Sequence, residues 1–195
     1  MLHIVYGGSA SGKSSYAESF AMSLQGEGRL LYIATMYPYK WNTTEIDPET
    51  MQRIERHRAM RADKGFDTVE CYRHVEHIVA KRQDVLLLEC MSNLLANEMY
   101  LEPDSNAGSD MAETMSPECV KDQDNLAQWI HGGELVIVTN DVFSDGGSLT
   151  YDESTREYVK NLAEINCALA REAATVTEVV CGIPVIVKKN HPMGK

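Results

Sequence analysis

The chain of 195 residues carries 29 acidic and 18 basic side chains, for a formal net charge of −11, and 44% of its residues are apolar. That is ample apolar material for one α/β domain with a real core, and too acidic a balance for a nucleic-acid backbone to be the main partner. No apolar run approaches the ~18 residues that span a bilayer, and the start Met1-Leu2-His3-Ile4-Val5-Tyr6 lacks the basic residues and length of a secretion signal. A cytoplasmic protein with no membrane span is expected. The five cysteines (Cys71, Cys90, Cys119, Cys167, Cys181) are odd in number and form no C-x-x-C pair. They read as buried free thiols in a reducing compartment.

Leu2–Tyr6 is a short apolar run ending in a glycine-rich turn, and residues 14–24 have helical spacing with Tyr16, Phe20, Ala21 and Leu24 on one side. Residues 29–35 read as a second buried strand. A polar, proline-containing loop follows from Tyr37 to Asp47. Pro48 suits the first turn of a helix running to about Lys64, with Asp47 as its N-cap. Residues 84–89 (Asp-Val-Leu-Leu-Leu-Glu) and 134–139 (Glu-Leu-Val-Ile-Val-Thr) supply two more core strands. A long amphipathic helix is expected from Tyr151 to about Ala173. Residues 175–180 and 185–188 bracket Cys181-Gly182-Ile183-Pro184 as a closing antiparallel hairpin. Apolar strands alternating with helices predict a mostly parallel sheet covered on both faces. The acidic stretch from Leu101 to Asn125 reads as an exposed insertion within this single domain.

Gly7-Gly8-Ser9-Ala10-Ser11-Gly12-Lys13-Ser14 satisfies G-x-x-x-x-G-K-[ST] in full. It follows a strand and opens a helix, where backbone N–H groups and the helix N-terminus converge on phosphate oxygens. Lys13 is expected at the β- and γ-phosphates of a nucleoside triphosphate, and Ser14 on Mg²⁺. The ion calls for a carboxylate at a neighbouring strand end. Glu89 and Asp141 are both placed for it, and Glu89 is preferred because it closes so apolar a strand.

Arg53-Ile54-Glu55-Arg56-His57-Arg58-Ala59-Met60-Arg61 holds four arginines in nine residues, a local reversal of the overall charge. Arg53, His57 and Arg61 are four apart and share one helix face. That face suits a polyphosphate with His57 as a neutral nucleophile at its centre. It equally suits a solvated basic face paired with Glu49 and Glu55. These residues alone leave both readings open.

Taken together, these motifs resemble the bifunctional adenosylcobinamide kinase / adenosylcobinamide-phosphate guanylyltransferase family of cobalamin biosynthesis. The resemblance runs co-linearly through most of the chain. After the phosphate loop come Tyr16-Ala17-Glu18, Leu31-Tyr32-Ile33-Ala34-Thr35, Arg53-Ile54 with His57 and Arg61, and Phe66-Asp67-Thr68-Val69-Glu70. Leu87-Leu88-Glu89-Cys90 with Ser92-Asn93-Leu94-Leu95, Val136-Ile137-Val138-Thr139-Asn140, and Gly182-Ile183-Pro184 complete it. The resemblance implies a RecA-like P-loop sheet, a homotrimer, and ATP or GTP and a corrinoid (adenosylcobinamide) as substrates. It implies phosphorylation of the corrinoid, then transfer of GMP through a guanylyl group carried on His57. Nucleotide contacts would fall on the phosphate loop, on Ala34, Thr35 and Met36, on Arg58, Ala59, Met60 and Arg61, and on Glu70 and Glu89.

The chain departs from the family pattern at Asn140-Asp141-Val142-Phe143-Ser144-Asp145-Gly146-Gly147, at Phe66 and Ala62, and in the acidic insertion. Those loops bear on corrinoid binding and the kinase step more than on guanylyl transfer. Two other readings predict different behaviour. A P-loop small-molecule kinase would leave His57 a spectator. A nucleotide-gated binding module would bind GTP without turnover.

Overall fold

The computed structural model describes residues 1–102, 133–142 and 151–190, together with the backbone of Asp124–Asn125. In chain order it runs β1 (Leu2–Gly7), α1 (Lys13–Leu24), β2 (Leu30–Ala34), α2 (Pro48–Arg61), β3 (Phe66–Glu70), a 3₁₀ turn (Val75–His77), β4 (Val79–Ala80), β5 (Val85–Glu89) and α3 (Met91–Tyr100). Then come β6 (Asp124–Asn125), β7 (Glu134–Asn140), α4 (Glu153–Glu172), β8 (Thr175–Val180) and β9 (Ile183–Lys189). The main sheet has seven strands in the order β3-β2-β5-β7-β1-β8-β9, all parallel but for the β8–β9 hairpin. The short β4 and β6 pair separately. One strand, β7, separates the phosphate-loop strand β1 from β5, which ends in Glu89. This is the expected RecA-like P-loop arrangement.

The three leucines of β5 explain why the sheet is covered on both sides. Leu86 and Leu88 pack with Leu31, Ile33 and Ile137 on one face, against Leu94 of α3 and Leu169 of α4. Leu87 points the other way, into Tyr32, Val136 and Val138, where Ala17 and Ala21 of α1 close the layer. Period-two alternation thus yields two cores from one run. Each buried leucine contributes about 1.5–3 kcal/mol. On α1 the deepest positions are Ala17, Glu18 and Ala21, while Tyr16, Phe20 and Leu24 flank them. The expected stripe of Tyr16, Phe20, Ala21 and Leu24 thus packs on one core, with Ala17 added at its deepest point.

Helix α2 is built differently. Asp47 caps it as expected, accepting from the Thr50 N–H, with Pro48 in the first turn. It ends at Arg61 rather than near Lys64, and Arg61 is its one buried residue. The helix is held by polar contacts. Arg61 stacks on Tyr32, Arg58 pairs with Glu70, and just beyond the helix Lys64 pairs with the buried Glu18.

Two elements, β3 and α3, were not expected, and the hairpin turn differs from expectation. β3 and α3 lacked a clear apolar period. β3 is a half-exposed edge strand, and α3 buries Ser92 and Asn97 beside its leucines. The hairpin turns on Cys181-Gly182 alone, both with positive φ (51° and 78°). Ile183 and Pro184 belong to β9, an edge strand where the missing proline N–H costs nothing. Residues 103–123 of the acidic insertion, and 143–147 of the altered loop after β7, lie outside the described residues. Cys71 and Cys90 are buried free thiols as expected, but Cys167 and Cys181 are exposed on α4 and the hairpin turn.

Asp84, which leads into β5, is 1% exposed and ties that strand's start to β2. Burial alone would raise its pKa. Hydrogen bonds from the Arg29 side chain (2.7 Å), Arg29 N–H (3.0 Å) and Lys81 N–H (3.0 Å) outweigh it and hold the carboxyl below its ordinary range. A depressed folded-state pKa adds stability above the unfolded value, about 3.9, and this is lost as pH falls through the folded value. Asp84→Asn should lose about 1–3 kcal/mol at neutral pH, and thermal melts should show wild type and mutant converging below about pH 4. Equal melting temperatures at pH 7 would refute this.

Candidate active site

At the C-terminal ends of the parallel strands lies a cavity of about 630 Å³, floored by the phosphate loop and walled by α2. Gly12 adopts φ +92°, a left-handed conformation that suits glycine, and a Cβ there would lie 3.1 Å from the Gly182 Cα. The Gly182 N–H donates to the Ser11 carbonyl (2.8 Å), so the β8–β9 turn braces the loop from behind. A Cβ on Gly7 would meet the Val179 carbonyl oxygen at 2.5 Å. Lys13 is buried, and its ammonium donates to the Gly8 carbonyl (2.9 Å). Burial pushes its pKa below the ordinary lysine range, while Cys90 and Glu89 pull the other way.

Glu89 is the hub. Its Oε1 accepts from Ser14 Oγ at 2.6 Å and lies 3.8 Å from His57 Nδ1, and its Oε2 accepts from the Tyr32 hydroxyl. Thr35 fixes the strand end, accepting from the Cys90 N–H (2.7 Å) and donating toward the Glu89 and Cys90 carbonyls (2.9 and 3.1 Å). Burial, reinforced by the Glu89 carboxylate, keeps the Tyr32 hydroxyl protonated far above the ordinary phenol range. The Arg61 guanidinium lies 3.4 Å from the centre of that ring, and its Nε and Nη1 are buried with no partner among the described residues. Ser11 Oγ is likewise buried and unpartnered among the described residues. Unsatisfied buried donors around a phosphate loop are groups that an anionic ligand would satisfy.

The candidates named from sequence largely converge here. Ser9, Ala10, Ser11, Gly12, Lys13 and Ser14 line the cavity, as do Ala34, Thr35, Met36, His57, Arg58, Met60, Arg61, Glu70 and Glu89. Gly7, Gly8 and Ala59 do not. Gly7 and Gly8 shape the loop from its strand end, and Ala59 is exposed on α2. Arg53 also lines the cavity, although Arg53, Arg56 and Arg58 are exposed and only Arg61 of this helix is buried. Arg58 pairs with Glu70 rather than with Glu49 or Glu55. Of the two carboxylates considered for Ser14, Glu89 is the one in contact, whereas Asp141 is tied by its N–H to the Gly7 carbonyl.

Tyr32 and Tyr72 were missed as site residues. Tyr72 donates to Glu70 (2.9 Å) and lines the cavity. For Tyr32 a signal existed: a phenol in an otherwise aliphatic buried strand needs a partner for its hydroxyl.

Residues 3–187 match the family described as cobinamide kinase / cobinamide phosphate guanyltransferase. The chain belongs to this family. Its class is therefore that of a cobinamide kinase and cobinamide phosphate guanyltransferase, an enzyme of cobalamin biosynthesis. Among similar proteins is the bifunctional adenosylcobalamin biosynthesis protein CobU of Escherichia coli (strain K12), 29% identical over 96% of this chain and 100% of its own. The Salmonella typhimurium protein of the same name is 28% identical with the same coverage. The crystal structure of the flagellar accessory protein FlaH from Methanocaldococcus jannaschii is a distant likeness. It has a TM-score of 0.45 and 13% identity over 97% of this chain and 78% of its own. Among the described residues no helix is long and apolar enough to cross a membrane.

Proposed function

We propose that this one cavity serves both family reactions, with His57 as the group that carries GMP between them. The observation that carries the reading is Glu89, which accepts from Ser14 at 2.6 Å and faces His57 at 3.8 Å. It links the triphosphate loop to the histidine. In the kinase step a hydroxyl of adenosylcobinamide attacks the γ-phosphorus of ATP or GTP, the nucleoside diphosphate leaves, and the hydroxyl proton passes to solvent or a carboxylate. In the second reaction a ring nitrogen of His57 attacks the α-phosphorus of GTP and pyrophosphate leaves. The phosphate of adenosylcobinamide phosphate then displaces His57, giving adenosylcobinamide-GDP. Lys13 exchanges its bond to the Gly8 carbonyl for phosphate oxygens. Arg61 and the neighbouring arginines of α2 offset charge on the phosphorus being attacked.

The hydroxyl of Ser14 and the carboxylate of Glu89 are adjacent hard oxygen donors, which fit Mg²⁺. When bound, the ion would offset the charge of the β- and γ-phosphates. Ser14 and Glu89 would hold it, and Tyr32 would orient the second oxygen of Glu89.

The enzyme is read as cytoplasmic and homotrimeric. Ile183, Val185, Ile186 and Val187 of β9 are 47–65% exposed, an apolar edge that a neighbouring subunit would cover.

Radiolabel placement tests the reading. With GTP and Mg²⁺ and no corrinoid, α-label should stay on the protein while γ-label leaves as pyrophosphate. Failure to retain α-label would leave only a kinase. Glu89→Gln should keep the fold and slow both half-reactions by about 10²–10³-fold. Wild-type rates across a Mg²⁺ titration would remove Glu89 from the ion site.

A further inference from the structure

A second group of ligating side chains lies outside the cavity. His74, Glu76 and His77 sit on and beside the 3₁₀ turn, with one ligand atom from each all within 4.8 Å of one another. His74 Nδ1 is 3.2 Å and His77 Nε2 3.7 Å from the same Glu76 oxygen, Oε1. An ion held at about 2.0–2.1 Å by tetrahedral N and O ligands spaces them about 3.4 Å apart. The two histidine–glutamate spacings are thus close to those of an occupied site.

The backbone beneath the cluster is held firmly. His74 has left-handed dihedrals (φ 55°, ψ 42°), sparsely populated for a residue with a side chain. Its N–H donates to Glu98 Oε1 (2.7 Å), which fixes that conformation against α3. The preceding Arg73 donates to Glu98 Oε2 (3.4 Å) and to the carbonyls of Leu101 and Glu102 (3.2 and 3.3 Å). On the other side the turn is closed by His77 N–H to the His74 carbonyl (3.0 Å) and anchored by Ile78, 2% exposed. Only the exposed side-chain ends need to turn for all three to meet one ion.

We propose that His74, Glu76 and His77 form a site for a divalent transition ion of the Zn²⁺ class, separate from the Mg²⁺ chemistry of the nucleotide cavity. Two imidazoles and one carboxylate suit Zn²⁺, Co²⁺ or Ni²⁺ and not Mg²⁺ or Ca²⁺, which take oxygen donors. Three protein ligands leave a fourth position for water. The turn follows directly on Glu70 and Tyr72, and the Tyr72 carbonyl is already tied to Asn97 of α3 (2.9 Å). A bound ion would clamp the chain where it leaves the nucleotide site.

Calorimetric titration of ZnCl₂ into the full-length protein with excess Mg²⁺ present tests the site. One ion should bind per chain, and Mg²⁺ should not compete. His74→Ala and His77→Ala should each weaken binding at least about tenfold, the lower bound for losing even an outer partner of a metal ligand. Neither His57→Ala nor a Cys167→Ser/Cys181→Ser double variant should change it. Because the His77 side chain is 81% exposed, its removal should leave the melting temperature of the metal-free protein unchanged. Co²⁺ in place of Zn²⁺ should give the visible absorption of a tetrahedral site, lost in His77→Ala. Unchanged Zn²⁺ affinity in His77→Ala, competition by Mg²⁺, or loss of binding in the His57 or cysteine variants would overturn the assignment.

Discussion

His57→Ala should abolish guanylylation of the protein by GTP while the kinase step largely persists. The wild-type chain is expected to gain the mass of one GMP and release pyrophosphate with no corrinoid present. Removing a nucleophile from an otherwise intact site lowers the rate on the order of 10⁴-fold or more. The residue stands on the cavity wall, with Nδ1 3.8 Å from Glu89, so the loss should be confined to chemistry and leave the core untouched. The linkage would be a phosphoramidate, labile in acid and stable to mild alkali. Intact-mass spectrometry and peptide mapping decide the matter. GMP retained by the Ala variant, or mapped to Lys13 or His74, would refute the histidine mechanism.

Lys13→Ala should disable both half-reactions, because the chain has one complete phosphate loop. Loss of a charge-assisted phosphate contact costs about 2–5 kcal/mol, or roughly 30-fold to several thousand-fold in triphosphate affinity or rate. A control separates this from misfolding. Burial disfavours the Lys13 ammonium, so the folded state gains stability as pH rises through its lowered pKa and is penalised below it. Replacing Lys13 by Ala removes that penalty, so the melting temperature should stay level or rise while titration with Mg-GTP shows affinity lost. Unchanged affinity would move the principal triphosphate site elsewhere. A drop in both would mean that Lys13 holds the loop together through the Gly8 carbonyl.

What was legible in the sequence was what is local. The phosphate loop is eight consecutive residues, Asp47 and Pro48 announce α2 within two positions, and the leucines of β5 declare a doubly buried strand. Glu89 could be favoured over Asp141 because an acid closing so apolar a strand belongs at the ligand edge. α3 and β3 were not legible as elements. Ser92 and Asn97 interrupt the apolar period of α3, and their side chains reach partners distant in sequence, Asn140 for Ser92 and the Thr35 and Tyr72 carbonyls for Asn97. β3 is half-exposed at the sheet edge and shows little alternation. The Tyr32–Glu89 hydrogen bond and the Arg61–Tyr32 stack join three elements distant in sequence, and no spacing rule reaches that far. The hairpin was visible but its turn was read two residues too long. Pro184 resembles a turn residue and is in fact tolerated in an edge strand.

The brace between Gly182 and the Ser11 carbonyl gives the far end of the sheet a grip on phosphate chemistry. The strand that leaves this turn is the one whose isoleucines and valines face outward. Whatever grips that strand steadies one wall of the anion cradle, and whatever releases it slackens the wall. By linkage, triphosphate in the cradle then tightens the grip in return. If copies of the chain associate through that strand as proposed, self-association and nucleotide retention would rise and fall together on dilution.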